Sequence, residues 1–275
     1  MRRLLQQLRG VRVEPALPSP PPVDESEWAE LTEGFGTRGP GVIGATGGSG
    51  TRVVARIARR GGMFVGSDLN RSDDALDFAA FSDRWINRVE RGERPPELRA
   101  ELRALVARQQ RAAADAPWGW KEPRSVYLLP LLDGELPGLR FLHVVRDGRD
   151  MAFSRNQVQL RKHGEAVLGA AGAEPEEVRS ISLWAEINLR AADHGERVLG
   201  ERYLRVRFED LCTEPQATTA RILAFLGLDG DAQAIAAEEV HPPDTFGRWR
   251  ARNVAGLEER AGEALRRFGY QSSSA

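Results

Sequence analysis

Apolar residues fall along this chain in short unbroken runs separated by longer amphipathic stretches. Gly41-Val42-Ile43-Gly44-Ala45 has the length and character of a buried strand, and Val53, Val54, Ile57 and Ala58 then recur at helical spacing between Thr51 and Arg60. The pattern predicts strand, loop, helix. A second strand is predicted at Met63 to Gly66, ending in Ser67-Asp68-Leu69-Asn70. Residues 72–116 are charged and helical in period, with Leu98, Leu102, Leu105 and Val106 on one apolar face. The segment from Pro117 through Trp118 and Trp120 to Pro123 breaks that helix. Leu139 to Val145 and Tyr203 to Phe208 read as further strands, and Pro215 to Leu226 as a helix. This alternation predicts an α/β chain, doubly wound around a central parallel sheet, with its ligand at the carboxyl ends of the strands.

The five prolines between Pro15 and Pro22 favour extended polyproline structure. Residues 1–38 are therefore expected to be a basic, proline-rich, flexible tail, and residues 39–275 a single domain with a helical insertion at about 69–116. Composition narrows the class. The formal charges nearly cancel, 39 − 40 = −1, so no overall field draws the chain to nucleic acid or an anionic membrane. The single Cys212 excludes a disulfide framework. No apolar run reaches the roughly 20 residues of a membrane span. Gln6 and Gln7 interrupt the start of the chain where a signal peptide would be apolar. A soluble, cytoplasmic protein is expected.

Candidate chemistry begins in the loop after the first strand. In Gly44-Ala45-Thr46-Gly47-Gly48-Ser49-Gly50-Thr51-Arg52, glycines allow successive N–H groups to point inward, and the following helix adds its positive end. That is an anion cradle. Thr51 stands where an ATP-binding Walker loop carries lysine, and Val53 where a dinucleotide fingerprint carries its third glycine. A second anion site is predicted where Arg146 ends the apolar strand and Ser154 lies eight residues on, about two turns along the next helix. Two such sites at strand ends imply a ligand with two separated phosphate groups.

These motifs resemble those of the sulfotransferases that use 3′-phosphoadenosine 5′-phosphosulfate (PAPS). Gly47-Gly48-Ser49-Gly50-Thr51-Arg52 is similar to the family's 5′-phosphosulfate loop, and Arg146-Asp147-Gly148-Arg149-Asp150 through Ser154 to its 3′-phosphate motif. Arg207-Phe208-Glu209-Asp210-Leu211 with Pro215 resembles a family turn in which Glu209 and Asp210 order the backbone. Gly247-Arg248-Trp249-Arg250 resembles a loop that closes over the nucleotide. The likeness runs from about residue 41 to 270 and is thin across 69–116. It implies a three-layer, P-loop NTPase-like fold and sulfuryl transfer from PAPS, without a metal, leaving adenosine 3′,5′-bisphosphate. The acceptor would be a hydroxyl or amine of a small molecule, a saccharide or a tyrosine side chain. A P-loop kinase or nucleotide hydrolase, and a family member that binds nucleotide without turnover, stand as alternatives.

Two departures from the family pattern are visible. Gly148 replaces a proline, and Gly48 stands where the family carries a cation that stabilises the leaving phosphate. Arg52 or Lys121, the latter in a Lys-x-Pro segment like one in Golgi-type sulfotransferases, is expected to replace that cation. Asp68, 20 residues after Gly48, is the first candidate for the general base, with helix capping as its competing role. Glu122 and His163 are further candidates, and His143, inside an apolar strand, reads as a core histidine. Trp118 and Trp120 suit either stacking on a ring or packing on the sheet. Trp184 and Asn188 share a helical face on the nucleotide side. Acceptor choice is expected to lie in 69–116 and 156–180, which carry no recognisable code; Arg84, Arg88, Arg91 and Arg94 read as a solvated helix face. Oligomeric state is not legible.

Overall fold

The computed structural model describes residues 20–271. Its centre is a parallel sheet of four strands, β1 (Gly41–Ala45), β2 (Gly119–Lys121), β3 (Arg140–Val145) and β4 (Tyr203–Arg207), in the order β2-β1-β3-β4. Gly41 pairs with Gly119 on one side and with Arg140 on the other, and Phe141 pairs with Tyr203. All of β1 is buried, as expected of a strand covered on both faces.

Alternation along the strands sorts the core into two layers. Val42 and Phe141 pack on one face among Phe78, Trp85, Leu102, Val106 and Ile187, which come from the helices Leu76–Glu90, Pro96–Ala113 and Glu176–His194. Ile43, Leu142, Val144 and Val206 point the other way, into Val54, Ile57, Ile222 and Leu223 from the helices Thr51–Arg60 and Pro215–Leu226. The result is the doubly wound parallel sheet predicted from the hydrophobic pattern, in the three layers implied by the resemblance. The chain leaves β1 for β2 on one side and then crosses to β3 on the other. The loops after β1 and β3 therefore open at the same edge, where such sheets hold ligands.

Three expectations need correcting. Residues 25–38 are not tail: the helix Glu25–Glu33 is capped by Asp24, and Trp28 and Phe35 are buried against the sheet-covering helices. Residues 1–19 lie outside the described residues. The strand expected at Met63 to Gly66 shrinks to a single bridge between Phe64 and Trp118, because Gly66, with φ 129, turns the chain away. The segment that follows the end of the helix Pro96–Ala113 also holds β2, a strand the pattern did not predict, and Trp118 before it and Trp120 at its centre are both core. Trp118 packs against Phe35 with ring centroids 5.3 Å apart, and Trp120 stacks on Phe78 at 4.0 Å.

Candidate active site

At the carboxyl edge of the sheet a cleft of about 480 Å³ is lined by Gly47, Gly48, Gly50, Thr51, Arg52, Lys121 and Arg146. Seven predicted site residues thus meet in one place. Gly50 has φ 87, and a Cβ there would come within 2.2 Å of the Phe208 ring; Gly48 has φ 88 and faces Met151. Only glycine serves at the first position, because both the backbone and the neighbour exclude a side chain. A Cβ on Gly48 would lie 3.1 Å from Met151 Cε, the far end of a flexible side chain, so the left-handed backbone rather than crowding disfavours another residue there.

The helix Thr51–Arg60 starts with no acidic residue in its first turn and no side-chain cap. Among the described residues, none accepts from the N–H groups of Gly47, Gly48, Ser49 or Gly50. Donors left open at a helix start suit an anion. Ser49 does not join them: it is fully buried, and its hydroxyl donates to Thr46 O at 2.7 Å.

Arg146 is 4% exposed. Its Nη2 donates to Asp150 Oδ2 at 2.9 Å and to Thr245 O at 2.6 Å, while its Nε has no partner among the described residues. A buried guanidinium nitrogen without an acceptor is costly unless a ligand supplies one. The carbonyl of Arg146 accepts from Trp184 Nε1 at 2.9 Å, which fixes the strand end. The Trp184 ring also explains Gly148, since a Cβ there would lie 2.5 Å from it. Ser154 sits in the loop after Gly148–Ala152, not two turns along a helix. Its Oγ accepts from Asn156 N–H and lies 3.9 Å from the Cβ position of Gly48.

The closing segment is already docked. Asp150 accepts from Gly247 N–H at 2.8 Å and Trp249 N–H at 3.1 Å, and Arg248 donates to Thr245 O at 3.2 Å. Thr245, Pro243 and His241 line the cleft, whereas Gly247, Arg248, Trp249 and Arg250 are not among its lining residues. Arg207 also lies outside the lining and pairs with Asp210 at 3.2 Å. Glu209 orders the turn, as expected, accepting from Asp147 N–H and the Tyr270 hydroxyl. His143 is a core residue bonded to Tyr203 and Asn188, and burial lowers its pKa to about 4.

The opposite wall is built differently. Lys121, 2% exposed, gives its ammonium to Asp74 and to Ser72 O at 2.8 Å, and burial lowers its pKa. Glu122 accepts from Arg124 Nε at 2.8 Å and from the Ser82 hydroxyl at 3.0 Å; its pKa is raised by burial. Arg124 and Lys162 share Asp83. Arg52, by contrast, is exposed and pairs with no other described residue. Asp68 is not among the lining residues and caps no helix; only its carbonyl is used, by Leu76 N–H. The carboxylates at the cleft are Asp74 and Glu122. His163 stands outside the lining, bonded to Asn87. One signal pointed here: the chain has two lysines, Lys121 and Lys162, and both line the cleft.

A three-layer parallel fold with an open glycine loop and a half-satisfied buried arginine offers two separate points where an anion could be held. The chain belongs to the sulfotransferase family, whose sequence model ("Sulfotransferase family") matches residues 46–232. It is 36% identical over 110 residues to Carbohydrate sulfotransferase 6 of Homo sapiens, covering 37% of this chain and 28% of that protein, so it matches under a third of that relative's length. Its fold is that of sulfotransferase STF9 from Mycobacterium avium (TM-score 0.58, 14% identity, 88% of this chain and 80% of that one). It is also similar to mouse sulfotransferase SULT7A1 complexed with PAP (TM-score 0.51, 13% identity, 89% and 90%).

Proposed function

We propose that this protein transfers a sulfuryl group from PAPS to a hydroxyl of a saccharide or similarly polyhydroxylated acceptor. The observation that carries the reading is Arg146, buried with Nε unpaired in the same cleft as the open glycine loop. The residues fit the donor: the N–H groups of residues 47–50 and the helix start suit one phosphate, and Arg146 suits the other. When bound, PAPS supplies a sulfuryl group attached to a phosphate that can leave. Lys121, on the opposite wall of that cleft, would supply positive charge to stabilise the leaving phosphate. Asp74, its side chain 20% exposed against 2% for Glu122, is the carboxylate an acceptor can reach, and we assign it the proton. It replaces Asp68 in that role.

The acceptor wall of Ser72, Asp74, Asn156, Gln159 and Lys162 offers donors and acceptors in several directions. Phe208 is the one aromatic ring among the lining residues besides His241, and it packs against Gly50. Such a wall suits hydroxyl-rich rings better than a flat phenol, and the matched relative is named a carbohydrate sulfotransferase. Family membership displaces the kinase and hydrolase alternatives. The test is thermal stabilisation in EDTA: adenosine 3′,5′-bisphosphate at about 100 times its Kd should add about 2.7 kcal/mol of stability. Stabilisation by ATP only when magnesium is present would reject the reading. Mass-spectrometric assay of saccharide against phenol acceptors then tests the acceptor class.

A further inference from the structure

The partners of Lys121 come from one small turn. Asn70 Oδ1 accepts from the N–H groups of Ser72 at 2.7 Å and Asp74 at 3.0 Å, and Asn70 Nδ2 donates to Asp74 Oδ2 at 2.8 Å. Asp73 N–H donates to Asn70 O, and Asn70 N–H to Asp74 O. The turn is closed on itself and presents Ser72 O and the Asp74 carboxylate to the Lys121 ammonium. At its apex Asp73 has φ 61, the left-handed region that a residue with a side chain seldom adopts. Its carboxylate reaches Arg59 Nη1 at 3.1 Å and Arg56 Nε at 3.3 Å. Both arginines belong to the helix that begins at the glycine loop.

We propose that Asp73 is a positioning residue: its pairs with Arg56 and Arg59 clamp the Asn70–Asp74 turn to the glycine-loop helix, and so hold the Lys121 ammonium in register with the phosphate cradle. Surface ion pairs alone stabilise little. Here the pair coincides with an unfavourable backbone conformation, which persists where its surroundings demand it. The inference rests on the assignment of Lys121 above. The charged groups around Lys121 are Asp74 and Asp73 from the turn and Glu122 with its partner Arg124 from the end of β2, while Arg52 lines the same cleft. Burial lowers the Lys121 pKa, and Asp74, Glu122 and Asp73 pull it back up. Loosening the turn should therefore lower it further.

Because the chain has two lysines, ¹³C-lysine labelling of the nucleotide-free protein gives two ε-methylene signals, and Lys121 can be titrated directly. Asp73→Asn and the double variant Arg56→Gln/Arg59→Gln should each lower its midpoint by about half a pH unit or more. Both should also speed amide exchange at Ser72 and Asp74 and lower kcat about tenfold at an unchanged KM for the donor. Asp73→Asn keeps a side chain that tolerates the left-handed region, so it should fold even if the double variant does not. An unchanged midpoint and kcat in Asp73→Asn overturns the clamp, as does a shift in Asp73→Asn that the folded double variant lacks. If Lys121→Met turned over normally, the Lys121 assignment would fall instead, while the titration and exchange results would still report on the clamp.

Discussion

The two walls of the cleft handle charge in opposite ways. On the donor side, four loop N–H groups and Arg146 Nε have no partner among the described residues. On the acceptor side the buried charges are matched, Lys121 with Asp74, Arg124 with Glu122 and Asp83, and Lys162 joins Asp83, while the exposed Arg52 pairs with no other described residue. The first wall is completed by a ligand and the second by the protein. In the proposed reading the matched groups orient an acceptor, whereas the unmatched ones are left for the phosphates of the donor.

The contrast implies that mutations in the acceptor wall damage the fold first, and mutations in the donor wall damage binding first. Glu122→Ala should show the largest effect. It strips Arg124 Nε and the Ser82 hydroxyl of their shared partner in a site 2% exposed, and removing one member of a buried pair costs about 3–5 kcal/mol. Urea unfolding measures it, and a loss below about 1 kcal/mol would show that the wall is not self-supporting. Arg146→Ala should weaken adenosine 3′,5′-bisphosphate about 100-fold, roughly 2.8 kcal/mol. The ligand-free protein should also lose stability, because the buried Asp150 carboxylate loses its charge partner, but by less than in Glu122→Ala, since Asp150 keeps the Gly247 and Trp249 N–H groups. A large loss of apo stability with intact affinity would reverse the comparison.

How far each wall was legible in the sequence follows from how it is built. The donor wall is made by backbone and short-range order: glycines that must be glycine, an apolar strand, and an arginine at its end. Those are local signals. The acceptor wall joins Asp74 to Lys121 across 47 positions and Asp83 to Arg124 across 41, and no local pattern carries such pairings. Asp68 and Asp74 are six residues apart in one acidic stretch, and only the Asn70 turn decides which carboxylate faces the cleft. β2 was hidden because three residues between prolines have too little alternation to read. The N-terminal helices were hidden because a proline-rich segment precedes them, although Asp24 and Trp28 carried a cap and a buried face.

Beneath the glycine loop the donor wall rests on a chain of polar groups. Thr46 accepts from Asn188, Asn188 Oδ1 meets His143, and His143 meets Tyr203. His143 must stay neutral there. Burial lowers its pKa from 6.5 to about 4, so between those values the native state binds fewer protons than the unfolded chain. Stability contributed by neutral His143 is present above pH 6.5 and is lost as pH falls toward 4, by up to about 1.4 kcal/mol per unit. Chemical denaturation at pH 7.5, 6 and 5 measures the slope. A His143→Gln variant that folds should lose much of it, and an unchanged slope would place the acid sensitivity elsewhere.

The smallest effect separates holding Arg146 in place from supplying its charge. Trp184 Nε1 donates to the Arg146 carbonyl at 2.9 Å, and the same ring closes over Gly148. Trp184→Phe keeps much of the apolar contact and removes the donor, leaving a buried carbonyl with less than its full complement, at a cost of about 1 kcal/mol. If that bond aims the end of β3, the loss should appear as a several-fold rise in KM for the donor at constant kcat, since Lys121 and Asp74 lie on the other wall. A fall in kcat at constant KM would instead mean that the two walls move together. The docked segment from Thr245 to Trp249, held through Asp150 beside Arg146, is the element that would couple them.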